Sequence, residues 1–201
     1  TLLAELFLIR FPINQSYASS ALWVSVSTPL VCAVIALYGT GAGIWVDGAV
    51  TLLTGVLNTW LRQSRLRWTL FNTGQSILCA AVAGSLFYLV SPQGFYFGTI
   101  PGFALLLAMT TYMMMNGVII GTVMALRENL PLWWVPQRMG GFIFRQLIPM
   151  FPLALLVSVA CKVYGNLGLV AVLAPYFALR QALLAYEQQH ALYHQTIRNL
   201  G

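Results

Sequence analysis

Charge is what this chain has least of. Only 7% of its 201 residues are Asp, Glu, Lys or Arg, where an ordinary soluble domain carries about 25%. Hydrophobic residues make up 59%, and mean hydropathy is +0.80. A water-soluble fold of this length could not hide so much apolar surface, so lipid must be the main solvent. Acidic groups are the scarcest, four in all, and Asp47 is the single aspartate. Cysteine is nearly absent too. Cys32, Cys79 and Cys161 stand far apart in apolar runs with no CxxC or Cys/His spacing. No metal site is therefore expected, no cofactor is named, and the thiols read as small buried apolar groups. "TLLAELFLIRFP" has no basic n-region and no small-residue cleavage site, which excludes a cleavable signal peptide. It reads as the last turns of a helix that starts upstream of Thr1. Ser/His/Asp arrangements, phosphate-binding glycine loops and paired carboxylates are missing as well, so this segment is not read as an enzyme.

What is present is a series of apolar runs separated by short polar or Gly/Pro-containing breaks. These predict helices at about 1–10 (partial), 19–38, 43–61, 70–90, 102–126, 142–164 and 167–198. About 20 residues cross a bilayer core. The expected fold is all-α: a polytopic transmembrane bundle of about six complete spans plus a partial N-terminal helix. Residues 1–175 would form the bundle. Residues 176–201 would end the last span and continue as a cytoplasmic signalling helix. Tight hairpins are expected at Gly39, Gly41 and Gly43, and at Gly165, Asn166 and Gly168, where glycine supplies unusual backbone angles.

The charges orient these spans. With the 62–68 loop "RQSRLRW" on the cytoplasmic side, Arg10, Arg127, Arg138 and the C-terminal tail fall there too. Lys162 is then the exception among the ten Lys and Arg residues. This positive-inside pattern accounts for the net charge of +6 without nucleic acid. It puts the C-terminus on the cytoplasmic side. Trp68, Trp133 and Trp134 mark the cytoplasmic interface, and Tyr38, Tyr88, Tyr96 and Tyr164 the opposite one. The 127–141 loop, with Pro131 and Pro136, reads as an interfacial segment rather than a long helix. Pro29, Pro149, Pro152 and Pro175 are expected to interrupt spans.

Polar groups inside a membrane are costly and need a partner or a task. Asp47, Thr51, Thr54 and Asn58 follow at offsets of four, seven and eleven, which puts them on one helix face near the outer start of a span. Two readings stand: interhelical hydrogen bonding, or a site for a cationic or hydrogen-bonding ligand or a proton. Tyr112 and Asn116 sit mid-span and are candidate members of that site. Asn72 and Gln75, three apart, share a face at the cytoplasmic end of their span. They read as helix-to-helix connectors, most of a bilayer thickness away from Asp47. Gly39/Gly43, Ala80/Gly84 and Gly117/Gly121 have the spacing of close helix contacts in lipid. His190 and His194 share a helix face in the tail, beside an apolar stripe from Ala182 to Leu200. That stripe is able to pair with a copy of itself, which gives a homodimer through 182–200 as a candidate assembly.

Five stretches carry a family likeness: "LAELFLIRFP" (3–12), "FNTGQSIL" (71–78), "YMMMN" (112–116), "PMFPLALL" (149–156) and "YHQTIRNL" (193–200). In that order they resemble the N-terminal membrane modules of bacterial signalling proteins that carry an HD-GYP phosphodiesterase domain, and sometimes a GGDEF or histidine-kinase domain. The resemblance covers most of the chain. It implies that the helix at 176–200 leads into a catalytic domain, with cyclic di-GMP turnover as one output. The HD and GYP motifs are absent here, so no catalytic residue is carried over, and the ligand is unspecified. A second likeness, in "ALYGTGAGIWVDGAV" (36–50), is to the substrate-binding membrane subunits of vitamin uptake transporters. It implies a small-molecule cavity near Asp47. A structural subunit of a membrane complex is the third reading.

Overall fold

Pro29 shows how the chain enters its bundle. Expected to break a span, it lies instead in the first turn of helix α1 (Ser27–Tyr38). There its missing N–H would have had no intrahelical partner in any case. In the computed structural model, the described residues are 8–10, 23–25, 27–62, 66–127, 129, 131–165, 167–172 and 174. Four more helices follow α1: α2 (Thr40–Arg62), α3 (Leu66–Val90), α4 (Thr99–Arg127) and α5 (Trp134–Tyr164).

The stretches expected as a partial helix over 1–10 and as the start of a span at 19 differ from that reading. Leu8–Arg10 (β1) and Trp23–Ser25 (β2) are short strands, paired antiparallel with Ile9 opposite Val24. Ile9 in β1 and Trp23 and Val24 in β2 are of the types that favour strands. Residues 1–7 lie outside the described residues, as do the tail histidines and the 182–200 stripe. Helix α1 has 12 residues, about 18 Å at 1.5 Å per residue, against a hydrocarbon core of about 30 Å.

Among the described residues, three helices are long and apolar enough to cross a membrane: α2 over Thr40–Leu57, α3 and α4. Helix α1 and the Met150–Tyr164 part of α5 are shorter apolar pieces. The sequence reading expects six spans. Helix α5 runs unbroken through Pro136, Pro149 and Pro152. Pro136 falls in its first turn, so much of the supposed 127–141 loop is helical.

The chain divides into two compact units, Thr1–Val159 and Ala160–Gly201. In the first, α2 and α3 form an antiparallel hairpin around residues 63–65, and α3 and α4 another around 91–98. The α2–α3 seam is glycine-lined. A Cβ on Gly55 would collide with Thr69, one on Gly48 with Ile77, and one on Gly84 with Thr40. The partners step evenly along both helices, so the two backbones run close together over most of their length. Gly84 thus makes the close contact its spacing predicts, while Gly117 and Gly121 are buried on α4.

Helix α1 leans on α2, α3 and α4 and supplies Val31, Cys32, Ile35 and Ala36 to the core. Gly39, at φ 101°, turns the chain into α2. This turn is not a bare outer hairpin. The 91–98 loop folds over it: the Phe95 amide donates to the Ala36 carbonyl at 3.0 Å, and the Tyr88 hydroxyl donates to the Ile35 carbonyl at 3.2 Å. Tyr88 therefore faces the bundle, unlike Tyr38 and Tyr96, which are exposed as interfacial aromatics should be.

Helix α2 is inside-out by soluble standards. Gly43, Asp47 and Gly48 are buried, while Trp45, Val46, Val50, Leu53, Val56 and Trp60 are exposed. A polar and glycine inner face with an apolar outer face suits a helix whose outer neighbour is lipid.

In the second unit, Gly165 at φ 60° makes the turn expected there. The Gly168 amide donates to the Gly165 carbonyl at 3.0 Å, and a Cβ on Gly168 would strike the Ala160 carbonyl. Helix resumes at 167–172.

Candidate functional site

Two hydrogen-bonded pairs tie α2, α3 and α4 together. The first joins the sole aspartate to α4: the Tyr112 hydroxyl donates to Asp47 Oδ2 at 2.6 Å. Asp47 is 2% exposed and Tyr112 5%. The second joins α3 to α4. Gln75 Nε2 donates to Asn116 Oδ1 at 2.6 Å and reaches the Asn116 carbonyl at 3.3 Å. Tyr112 and Asn116 are one turn apart on the same face of α4, so the pairs lie on consecutive turns.

The helix register explains the meeting. Gly43 packs on Ile35 and Gly48 on Ile77, which sets Cys32, Asp47, Cys79 and Tyr112 at one level of the first unit. Cys32 and Cys79 are buried there as apolar filler. Tyr112 lies near the middle of the 29-residue α4. Asp47 thus sits deep in the bundle and not at an outer rim. The α1–α2 turn beside it is inset beneath the end of α3, because Thr40 packs on Gly84 and not on the last turn of α3.

The sequence reading separates Asp47 from the "FNTGQ" amides by most of a bilayer. The structure brings Gln75 within about one helical turn of the Asp47 level, roughly 5–6 Å. It also splits the amide pair. Gln75 is 7% exposed, whereas Asn72 is exposed. Gln75 is a connector, as expected. Asn72 makes no interhelical bond among the described residues. Gln75 is only half satisfied: its Oε1 is buried with no hydrogen-bond partner.

Thr51 and Thr54 lie half-buried on α2 on the same side as Asp47. The Asn58 side chain lies outside the described residues. One contact escaped the sequence reading: Thr59 Oγ1 and Thr69 Oγ1 are 3.2 Å apart across the α2–α3 hairpin. Their positions on either side of the "RQSRLR" turn were the available signal.

Asp47 is buried against Tyr112 and hydrogen-bonded to it. A depression of about 300 Å³ exists elsewhere, lined by Val90, Ser91, Pro92, Gln93, Tyr96 and Ile100 at the α3–α4 loop. Ser91 holds that loop by donating from Oγ to the Gly94 carbonyl at 2.8 Å. The loop is about a dozen residues along α3 from the Asp47 level, or roughly 18 Å.

Comparison with protein-family models, curated proteins and solved structures finds no match.

Proposed function

We propose that the chain is a membrane-embedded sensory module whose helix packing is set by the Asp47–Tyr112 and Gln75–Asn116 pairs and is read by a cytoplasmic output domain. The observation that carries this is the linkage itself. Three helices meet through two short polar bonds on consecutive turns of α4. In a lipid-solvated bundle such bonds fix register and orientation, so two alternative pairings would give two discrete packings of the kind a switch requires.

In this reading the module sits in a bacterial inner membrane. Helix α5 and the 167–198 segment complete about six spans, and the basic end at Arg62, Arg65, Arg67 and Arg127 is cytoplasmic. The 176–201 segment leads to an output domain, with cyclic di-GMP turnover as the activity the family likeness suggests, and 182–200 pairs two copies. The rival reading, a binding subunit of a vitamin transporter, draws less support, because the Asp47 carboxyl is buried and already hydrogen-bonded within the bundle.

The test is the gene and its full product. A reading frame that continues past Gly201 into an enzymatic domain is expected. In nanodiscs, Gln75→Leu should change the output activity severalfold while leaving that domain's activity in isolation untouched. A frame that stops at Gly201, or an output indifferent to both pairs, overturns the proposal.

A further inference from the structure

Asp47 is the only aspartate in the 201 residues, and among the described residues its one hydrogen-bond donor is a phenol. Among those residues the titratable groups facing it are Cys32 from α1, Cys79 from α3 and Tyr112 from α4, each within electrostatic reach of the carboxyl; the side chains of Arg138 and Arg145 on α5 lie outside the described residues. None of the three carries a positive charge. On the next turn toward the Arg67 and Arg127 end lies the Gln75–Asn116 pair, with the buried Gln75 Oε1 lacking a donor. One turn further stands Asn72, exposed. Polar side chains therefore descend in steps of about one turn from the basic end of the bundle to Asp47. One water, hydrogen-bonded on both sides, spans such a step, and Gln75 Oε1 is the acceptor that would hold it.

We infer that Asp47 is a proton-binding site that exchanges with the basic end of the bundle through Asn72, Gln75, Asn116 and Tyr112. A proton adds to the Asp47 carboxylate and leaves a neutral carboxylic acid. The Tyr112 hydroxyl hands its hydrogen to Oδ2 and receives another from the bridging water, and that water takes up a proton arriving from the basic end, so phenol and water are both unchanged. The reverse step returns the proton, and no other bond is made or broken. This goes beyond the sensory reading and does not depend on it. A titrating Asp47 in a chain without an output domain would leave this inference standing and remove the other.

Protein labelled with 13C at the aspartate carboxyls, read as the difference between wild type and Asp47→Asn, reports Asp47 by infrared or solid-state NMR, in sealed vesicles of one protein orientation. A pH jump on the Arg67 and Arg127 side should shift the carboxyl signal, and the same jump on the other side should not. Gln75→Met should slow the response about tenfold, the rate equivalent of one lost hydrogen bond. The wild-type sidedness stands as a test even if that variant fails to fold. A carboxyl signal indifferent to pH on both sides, or one that answers first to the opposite side, overturns the inference. So does a folded Gln75→Met variant that responds as fast as wild type.

Discussion

Removing the Tyr112 hydroxyl is the sharpest test of the bundle's polar core. Tyr112→Phe keeps the ring in place and deletes the donor to Asp47 Oδ2, a bond of 2.6 Å at the short end of the O–H···O range. The carboxyl it leaves behind is buried and loses the one donor seen here. An unmatched buried polar group costs about 1–3 kcal/mol. Side-chain hydrogen bonds in membrane proteins average only about 0.6 kcal/mol, with a maximum near 1.7, because unfolded helices in lipid find other partners. Neither partner here reaches solvent, so the upper end applies: Tyr112→Phe should destabilise by about 1–2 kcal/mol. Asp47→Leu, which keeps the branched shape, should cost a similar amount by orphaning the hydroxyl. The double variant replaces both partners with apolar groups and should be close to wild type. Reversible unfolding in mixed micelles with a denaturing detergent gives all four corners of the cycle. A coupling near zero, or a double variant worse than either single one, would refute the pairing as an energetic unit.

Other outcomes follow from the packing. Gly84→Ala brings a Cβ to 2.9 Å from the Thr40 Cβ, an atom fixed to its backbone, so α2 and α3 must part; a loss of about 1–3 kcal/mol is expected in the same unfolding assay. Gly48→Ala meets only the Cγ1 and Cδ1 of Ile77, at 2.9 and 3.0 Å, on a partly exposed side chain that can turn away. It should cost less than Gly84→Ala, and the reverse order would show that the seam is misread. Gln75→Leu and Asn72→Leu should differ: the first removes a buried interhelical bond, while the second changes an exposed position and should stay within about 0.5 kcal/mol. Gly94, at φ 78°, should resist Ala by about 1–2 kcal/mol, and freeing its loop should raise protease cleavage between residues 91 and 98.

Much of the helical framework was legible because apolar run length reports on membrane solvation directly. The runs at 43–61, 70–90 and 102–126 fall inside α2, α3 and α4. Boundaries were poorer where proline sat in a first turn. Pro29 and Pro136 were taken as interruptions, yet at those positions the ring fills a place that has no hydrogen bond to lose. The register between helices was not legible at all. Asp47 and Gln75 seemed far apart because each was placed by counting from its own loop. The α1–α2 turn is inset under the 91–98 loop through Phe95 and Tyr88. That drops Asp47 to the level of Cys79 and Tyr112, and no single-helix pattern records such a shift. For the same reason Asn72 and Gln75 looked equivalent: helical spacing gives the direction of a side chain, not whether another helix reaches it at that height.

The glycine seam and the polar pairs depend on one another. Aspartate is short, and Tyr112 stands on a helix whose main partner is α3. Asp47 can reach it only if α2 lies close in, and the close approach comes from Gly48 and Gly55 facing Ile77 and Thr69, with Gly84 facing Thr40. Apolar packing alone would not hold this arrangement, because lipid offers the Trp45, Leu53 and Trp60 face of α2 an environment as good as the bundle interior. The buried aspartate supplies what apolar contact cannot. Turning α2 about its axis would carry Asp47 out toward hydrocarbon, at a cost of several kcal/mol by cautious scales, so the pair with Tyr112 fixes the rotation that the glycines make sterically possible. A change in the Asp47–Tyr112 bond therefore acts on a constraint that, with the Thr59–Thr69 contact, holds α2 in its orientation, which is why a pair of side chains can bear on the packing of a whole helix.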